Sequence, residues 1–269
     1  MRGVPVKIVV SNSRLHPEKC VGCKTCAHVC PTLAYTLPMD RPVERFKVSP
    51  CSDQCPVGND IEGFIFLVSR KRYLDAYRLL LETNPFPGLT GRVCHHPCEI
   101  NCNRLHFDEA LSIQGLERFV SDYARQVGYE MTKPRIRQKE KVAVIGSGPA
   151  GLSCAYFLAR AGYVVEVFEA ESRVGGMLRF GIPAYRLPEE TLEGEIQKLR
   201  SLKVKFRMNQ RLGKNLKFSD VKKFDALFLA TGLPQSHLLH IPGENGPGVF
   251  SALEFLKRIK SGEAVSLGN

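Results

Sequence analysis

Val142-Ala143-Val144-Ile145-Gly146-Ser147-Gly148-Pro149-Ala150-Gly151 decides the fold of the C-terminal part of this chain. Four apolar residues in a row suit a strand buried on both faces. They run straight into G-x-G-x-x-G, which opens a helix over residues 149–161. In such a unit Gly146 permits the tight turn, Gly148 lets the backbone approach a pyrophosphate, and Gly151 lets the helix pack on the sheet. The helix N-terminus, with Pro149 and Ala150 in its first turn, faces the phosphates with free N–H groups. The next strand, Val164-Val165-Glu166-Val167-Phe168, leads to Glu169, 23 residues after Gly146, where a carboxylate can hold ribose hydroxyls. A glycine-rich turn alone also occurs in unrelated α/β proteins; strand, glycines, helix, strand and acid together point to a dinucleotide site.

Two later runs, Val204-Lys205-Phe206 and Asp225-Ala226-Leu227-Phe228-Leu229-Ala230, read as further strands. Strands alternating with helices predict a parallel sheet with covered faces, in an α/β Rossmann-type unit over residues 141–269. Residues 51–131 read as helical. Ile61, Phe64, Ile65, Val68, Tyr73, Ala76, Leu79 and Leu80 recur at helical spacing, as two helices broken near Arg70. Asn84-Pro85-Phe86-Pro87-Gly88 stops that run, and another helix is expected from Ser112 to Val127. The polar, basic segment 132–140, with Pro134, reads as a linker. Residues 1–50 form a small ferredoxin-like segment with a cysteine-rich loop and a proline-rich exit through Pro38, Pro42 and Pro50. The expected class is therefore an α+β multi-domain chain.

With 269 residues, 43% apolar and 24% charged, the composition is that of a globular protein of one large or two modest domains. No uninterrupted apolar stretch is long enough to span a membrane. The apolar run within Met1–Val10 is too short for a secretory signal, so a cytoplasmic location is expected. The formal charge of +11 fits a plain soluble surface, or a field favouring anionic cofactors or an acidic partner. The basic residues are dispersed and no nucleic-acid module is present, so nucleic acid is not an expected partner. No hydrolytic constellation stands out, and no residue is singled out as catalytic.

Nine of the ten cysteines fall in the first 102 residues; Cys154, alone in a predicted helix, reads as an apolar filler. Without a secretion signal, their close spacings favour metal or clusters over disulfides. Cys20-x2-Cys23-x2-Cys26-x3-Cys30-Pro31 matches the bacterial ferredoxin loop, which holds a 4Fe–4S cluster. Zinc is the alternative, though it more often shows two Cys pairs or Cys with His. Cys30 is the least fixed ligand, because the fourth cysteine of such loops can serve a second cluster. A second set follows: Cys51-x3-Cys55-Pro56, then Cys94-His95-His96-Pro97-Cys98-x3-Cys102. His95 and His96 suit either a role in tuning potential or a surface position.

Three more segments extend the dinucleotide site: Gly175-Gly176-Met177-Leu178, then Arg179-Phe180-Gly181-Ile182-Pro183-Ala184-Tyr185-Arg186-Leu187-Pro188, then Ala230-Thr231-Gly232. Together these resemble the FAD half of the glutamate synthase small-subunit family, which includes the N-terminal part of dihydropyrimidine dehydrogenase and related NADPH:ferredoxin oxidoreductases. The resemblance covers about residues 51–269. It implies FAD on this unit, with Gly175, Gly176, Leu178, Arg186 and the Ala230-Thr231-Gly232 turn at the cofactor. It further implies that Cys55, Cys98 and Cys102 share a cluster with a Gln or Glu on the following helix. Glu117 sits at the matching place and Gln114 is a nearby competitor; a solvated helix position is the plain reading of Glu117. The family's cysteine pair just before Cys51 is missing here. Nine cysteines and Glu117 give ten candidate ligands, more than two cubanes need and fewer than three need. Two clusters are expected, with Cys51 and Cys94 as spare, redox-active or partner-completed thiols.

The family continues into a second unit that binds NAD(P)H, and this sequence has no second glycine fingerprint. The nicotinamide is therefore expected on a missing domain or a partner. The function implied is an oxidoreductase module in which NAD(P)H reduces FAD, FAD reduces the clusters, and the clusters feed a ferredoxin or larger partner enzyme. A non-catalytic electron-transfer subunit and the glutamate synthase small subunit itself are the alternatives.

Overall fold

The computed structural model describes residues 49–131, 138–237 and 239–265. The ferredoxin loop with Cys20, Cys23, Cys26 and Cys30, and most of the 132–140 linker, lie outside the described residues.

The helical part starts at α1 (Pro50–Asp53), where Pro50 occupies a first-turn position that needs no N–H. Helix α2 (Ile61–Ser69) is capped by Asp60, whose carboxylate accepts from Gly63 N at 2.8 Å. The expected break follows at Arg70, with Lys71 at φ 58°. Helix α3 (Tyr73–Thr83) ends at Asn84. The Asn84–Gly88 stretch stops α3 and also launches α4 (Pro87–Val93), a helix the sequence does not announce. Seven residues are too few to show a period, and Pro87 in its first turn reads equally as a breaker. The same holds for α5 (Pro97–Ile100), which precedes a 3-10 turn at Asn103–His106. Helix α6 (Ile113–Gln126) lies across α3 and α4 and buries Ile113, Val120 and Ala124.

The α/β part runs β1 (Lys141–Ile145), α7 (Pro149–Arg160), β2 (Val164–Phe168), α8 (Met177–Phe180), α9 (Glu189–Ser201), β3 (Lys205–Arg207), α10 (Phe218–Val221), β4 (Ala226–Leu229) and α11 (Ala252–Lys260). The four strands form one parallel sheet in the order β3-β2-β1-β4. Strand β1 is central, with Ile145 opposite Phe168 on one side and Leu229 on the other. Its C-terminal end is where the strand order changes direction, the usual place for a ligand in an open α/β sheet.

One apolar core runs through both parts. Tyr77, Leu81, Phe86, Leu89 and Ala124 of the helical part pack with Val144, Leu152, Tyr156, Leu192 and Ile196. Polar ties cross the same seam. Tyr156 OH and Arg160 Nη1 both donate to Leu81 O, at 2.9 and 2.7 Å. Gly88 N donates to buried Glu195 Oε1 at 3.0 Å, and Lys198 Nζ donates to Tyr77 OH at 2.8 Å. A smaller core holds Ile61, Phe64, Leu80, Cys98 and Ile113, with Cys51 and Cys55 packed against it. Cys154 is half-buried and flanks the main core, where an enclosed filler was expected. The buried stripe of α7 runs through Leu152, Ala155, Tyr156 and Ala159, and position 154 falls beside it. Among the described residues no helix is long and apolar enough to cross a membrane.

Candidate functional site

The three glycines of the fingerprint meet different surroundings. Gly146 has φ 103°, and a Cβ there would run into Ala230 O. A Cβ on Gly151 would run into Gly146 O. Gly148 has φ −71°, and a Cβ on it would meet no protein atom within 4 Å. The turn is thus closed on two sides and open at Gly148. No side chain caps α7, so its first N–H groups are available there, with Pro149 and Ala150 exposed beside them. The second glycine pair packs on the first: a Cβ on Gly176 would sit 2.8 Å from Gly148 Cα. Gly175 N donates to buried Ser147 Oγ at 3.0 Å.

Glu169 is buried and braces this turn. Its Oε2 accepts from Ser147 N at 2.9 Å and from Ser147 Oγ; its Oε1 accepts from Glu171 N at 2.8 Å. The carboxylate expected to hold ribose hydroxyls thus also accepts from the donors of the turn. Ala230 N donates to Ile145 O at 2.8 Å, which sets the Ala230-Thr231-Gly232 turn beside Gly146. Leu178 belongs to the core, so it offers the site only its backbone, and Arg186 is exposed. Sequence reasoning missed Arg179. It is buried, bonds Val174 O and pairs with Glu189 and Glu193, stapling the double-glycine loop to α9. Nothing local in the sequence marks it apart from neighbouring arginines.

The second site is a cavity of about 130 Å³ walled by Cys55, Cys94, His96, Cys98, Gln114 and Glu117. Two thiol sulfurs receive backbone donors: Asn59 N to Cys55 Sγ at 3.4 Å and His96 N to Cys94 Sγ at 3.3 Å. Glu117 is buried, so the solvated reading fails. Its Oε1 accepts from Asn84 Nδ2 at 2.9 Å and from Thr90 Oγ1. Burial pushes its carboxyl up to about 7. Burial, followed by the charges of Glu99, Cys55 and Cys94, pushes the Cys98 thiol up to about 12. Loading this site with metal must therefore release protons.

The cavity groups Cys94 with Cys55, Cys98 and Glu117. The resemblance had Cys102 in that place and Cys94 spare. Cys94 follows α4 directly and turns into the cavity, whereas Cys102 lies beyond α5, buried outside this wall. Cys51 is also outside it, half-buried, with Sγ 3.3 Å from Ser49 Oγ. His95 is exposed. A single zinc draws its ligands onto one point about 2.3 Å from each sulfur. Soft thiols spread around a cavity fit an iron–sulfur cluster, which distributes its ligands over several irons.

Comparisons with known proteins follow the same division. A model of the 4Fe–4S cluster domain II of dihydropyrimidine dehydrogenase matches residues 43–129, and an NAD(P)-binding Rossmann-like model matches residues 144–193. A 4Fe–4S binding domain model matches residues 14–36. The NADP(+)-dependent formate dehydrogenase subunit beta of Moorella thermoacetica is 39% identical, over 82% of this chain and 35% of its own length. The NADPH-Fe(3+) oxidoreductase subunit beta of Geobacter sulfurreducens is 36% identical, over 88% of this chain and 37% of its own. The NADPH glutamate synthase small chain of Mycobacterium tuberculosis is 39% identical, over 80% and 45%. The chain thus spans less than half the length of these curated relatives.

Proposed function

Because the chain belongs to the glutamate synthase small-subunit-like oxidoreductase family, we propose that it is an electron-transfer module linking NAD(P)H, FAD and 4Fe–4S clusters. The observation that carries this reading is the pairing, on one shared core, of a glycine turn open at Gly148 with a cavity walled by three cysteines. Bound FAD converts two-electron into one-electron transfer, and the clusters carry single electrons onward.

The chain's own residues then have distinct tasks. Gly146, Gly148 and Gly151 let the backbone reach the pyrophosphate, and the N–H groups at the start of α7 receive its charge. Gly176 keeps the opposite wall low, and Glu169 holds Ser147 and so the shape of the turn. Thr231 and Gly232 border the same opening. Cys55, Cys94 and Cys98 hold one cluster, with Glu117 offering an oxygen as fourth ligand. A second draws its four ligands from the six remaining cysteines of this region, Cys20, Cys23, Cys26, Cys30, Cys51 and Cys102. The single fingerprint being assigned to FAD, the nicotinamide belongs to a site outside these residues. A ferredoxin or a larger redox subunit is the other electron partner.

Anaerobic purification followed by cofactor analysis tests this. The expected result is about one FAD and roughly eight irons per chain, in two cubanes. Dithionite is expected to reduce both chromophores. Protein with no flavin spectrum after incubation with FAD, or with zinc in place of iron, would sink the reading.

A further inference from the structure

We propose that Gln114 is a positioning residue that fixes Cys94 in the wall of the cysteine cavity by hydrogen bonding to the backbone on either side of it. This rests on the reading of that cavity as an iron–sulfur site.

The last carbonyls of a helix have no partner within it. At the end of α4, Thr90 O accepts from Cys94 N at 3.0 Å and also from Gln114 Nε2 at 3.2 Å. Gln114 Nε2 also donates to Cys94 O at 2.7 Å. One amide group therefore bridges the helix end and the cysteine, at the point where the chain leaves α4 in extended conformation (φ −63°, ψ 145°). Gln114 is itself held from the other side, because its backbone N–H donates to Glu99 Oε1 at 2.7 Å. Glu99 follows Cys98 on α5, and Gln114 lies one turn before Glu117 on α6. The residue thus joins the three segments that bring Cys94, Cys98 and Glu117 to one cavity.

Both hydrogens of Gln114 Nε2 are thus directed at carbonyl oxygens of the segment that carries Cys94. The partners around ligands typically alter metal affinity by 10–100-fold when removed.

The test compares Gln114→Met, Gln114→Glu and Gln114→Lys with the unaltered full chain. Met keeps the length and removes the donors. Glu places an acceptor against two carbonyls. Lys restores N–H donors. Two properties of the cavity cluster would be read: release of its iron to a chelator, and its EPR envelope after dithionite. That signal is defined as what Cys98→Ser removes. Bound FAD and the thermal transition report independently that each variant is folded. Gln114→Met and Gln114→Glu are expected to release the iron roughly tenfold faster than the unaltered chain, with an altered EPR envelope. Gln114→Lys is expected to return the release rate towards it. Should Gln114→Met not fold, the Lys–Glu contrast carries the test alone. The proposal is overturned if Gln114→Met matches the unaltered chain in both readings. It is equally overturned if Lys and Glu are impaired to the same degree, since shape and not donation would then be at work. If Cys98→Ser changes neither iron nor EPR, the cavity holds no cluster, and the underlying reading falls with the proposal.

Discussion

Replacing Gly148 by alanine separates the holding of a ligand from the holding of a fold. The new methyl would meet no protein atom within 4 Å, and φ −71°, ψ −176° is backbone that any residue adopts. The cofactor-free chain is therefore expected to keep its stability to within about 0.5 kcal/mol. The methyl would, however, stand where the pyrophosphate approaches. An affinity loss of about 100-fold, or about 2.7 kcal/mol, is expected for FAD. Gly146→Ala is the contrast. At φ 103° an L-residue pays about 1–2 kcal/mol, and the collision with Ala230 O adds overpacking of about 1–3 kcal/mol. For a chain of this size that lowers the melting temperature by roughly 5–15 °C. Differential scanning fluorimetry of the stripped proteins gives the first quantity, and titration with FAD followed by flavin fluorescence gives the second. If Gly148→Ala binds FAD as well as the unaltered chain, or melts as low as Gly146→Ala, the assignment of the open side of the turn to the cofactor is wrong.

Serine at Cys55, Cys94 or Cys98 is expected to remove roughly four irons per chain while leaving FAD in place; full iron in Cys94→Ser would take Cys94 out of the ligand set. Cys154→Ser, beside the core and away from the cavity, is expected to change neither cofactor. In the iron-free chain, burial holds the Glu117 carboxyl at about 7 against an ordinary 4.5, so the folded state keeps a proton that the unfolded state gives up. Stability should then fall as pH rises from about 4.5 to about 7, by up to about 3 kcal/mol, and urea melts of Glu117→Gln should lose that slope. A slope unchanged in Glu117→Gln would assign it to another group. Tyr156→Phe removes one of two donors to Leu81 O and is expected to cost about 1 kcal/mol in urea unfolding. A loss several times larger would mean that Arg160 does not keep that carbonyl satisfied.

The sheet and its glycine turn were legible because they are local. Strand, fingerprint and helix lie within residues 142–160, and hydrophobic period and glycine placement carry them. The break near Arg70 and the helix ending near Val127 were legible for the same reason. Short helices α4 and α5 were not, since proline reads alike as a stop and as a first-turn residue. The set of cysteines around the cavity was not legible, for a different reason. Cys55, Cys94 and Cys98 meet only after α6 packs across α4, and spacing along the chain cannot rank Cys94 above Cys102. Glu169 shows the same limit on a smaller scale: among its partners is Ser147, 22 residues earlier, which the sequence does not announce. The bond from Gly88 N to Glu195 spans 107 positions and leaves no trace in either local sequence.

The core shared by the two halves also limits how this chain can be cut or recombined. Severing it between residues 131 and 138 would strip Tyr77, Leu81, Phe86 and Leu89 of the apolar surface they rest on, and would uncover Tyr156, Leu192 and Ile196 in turn. A grafted flavin half taken from elsewhere would have to bring matching counterparts of Tyr156, Arg160, Glu195 and Lys198, or leave Leu81 O and Gly88 N without partners. Exchanging the cysteine-bearing helices or the nucleotide fold as independent cassettes is thereby disfavoured energetically.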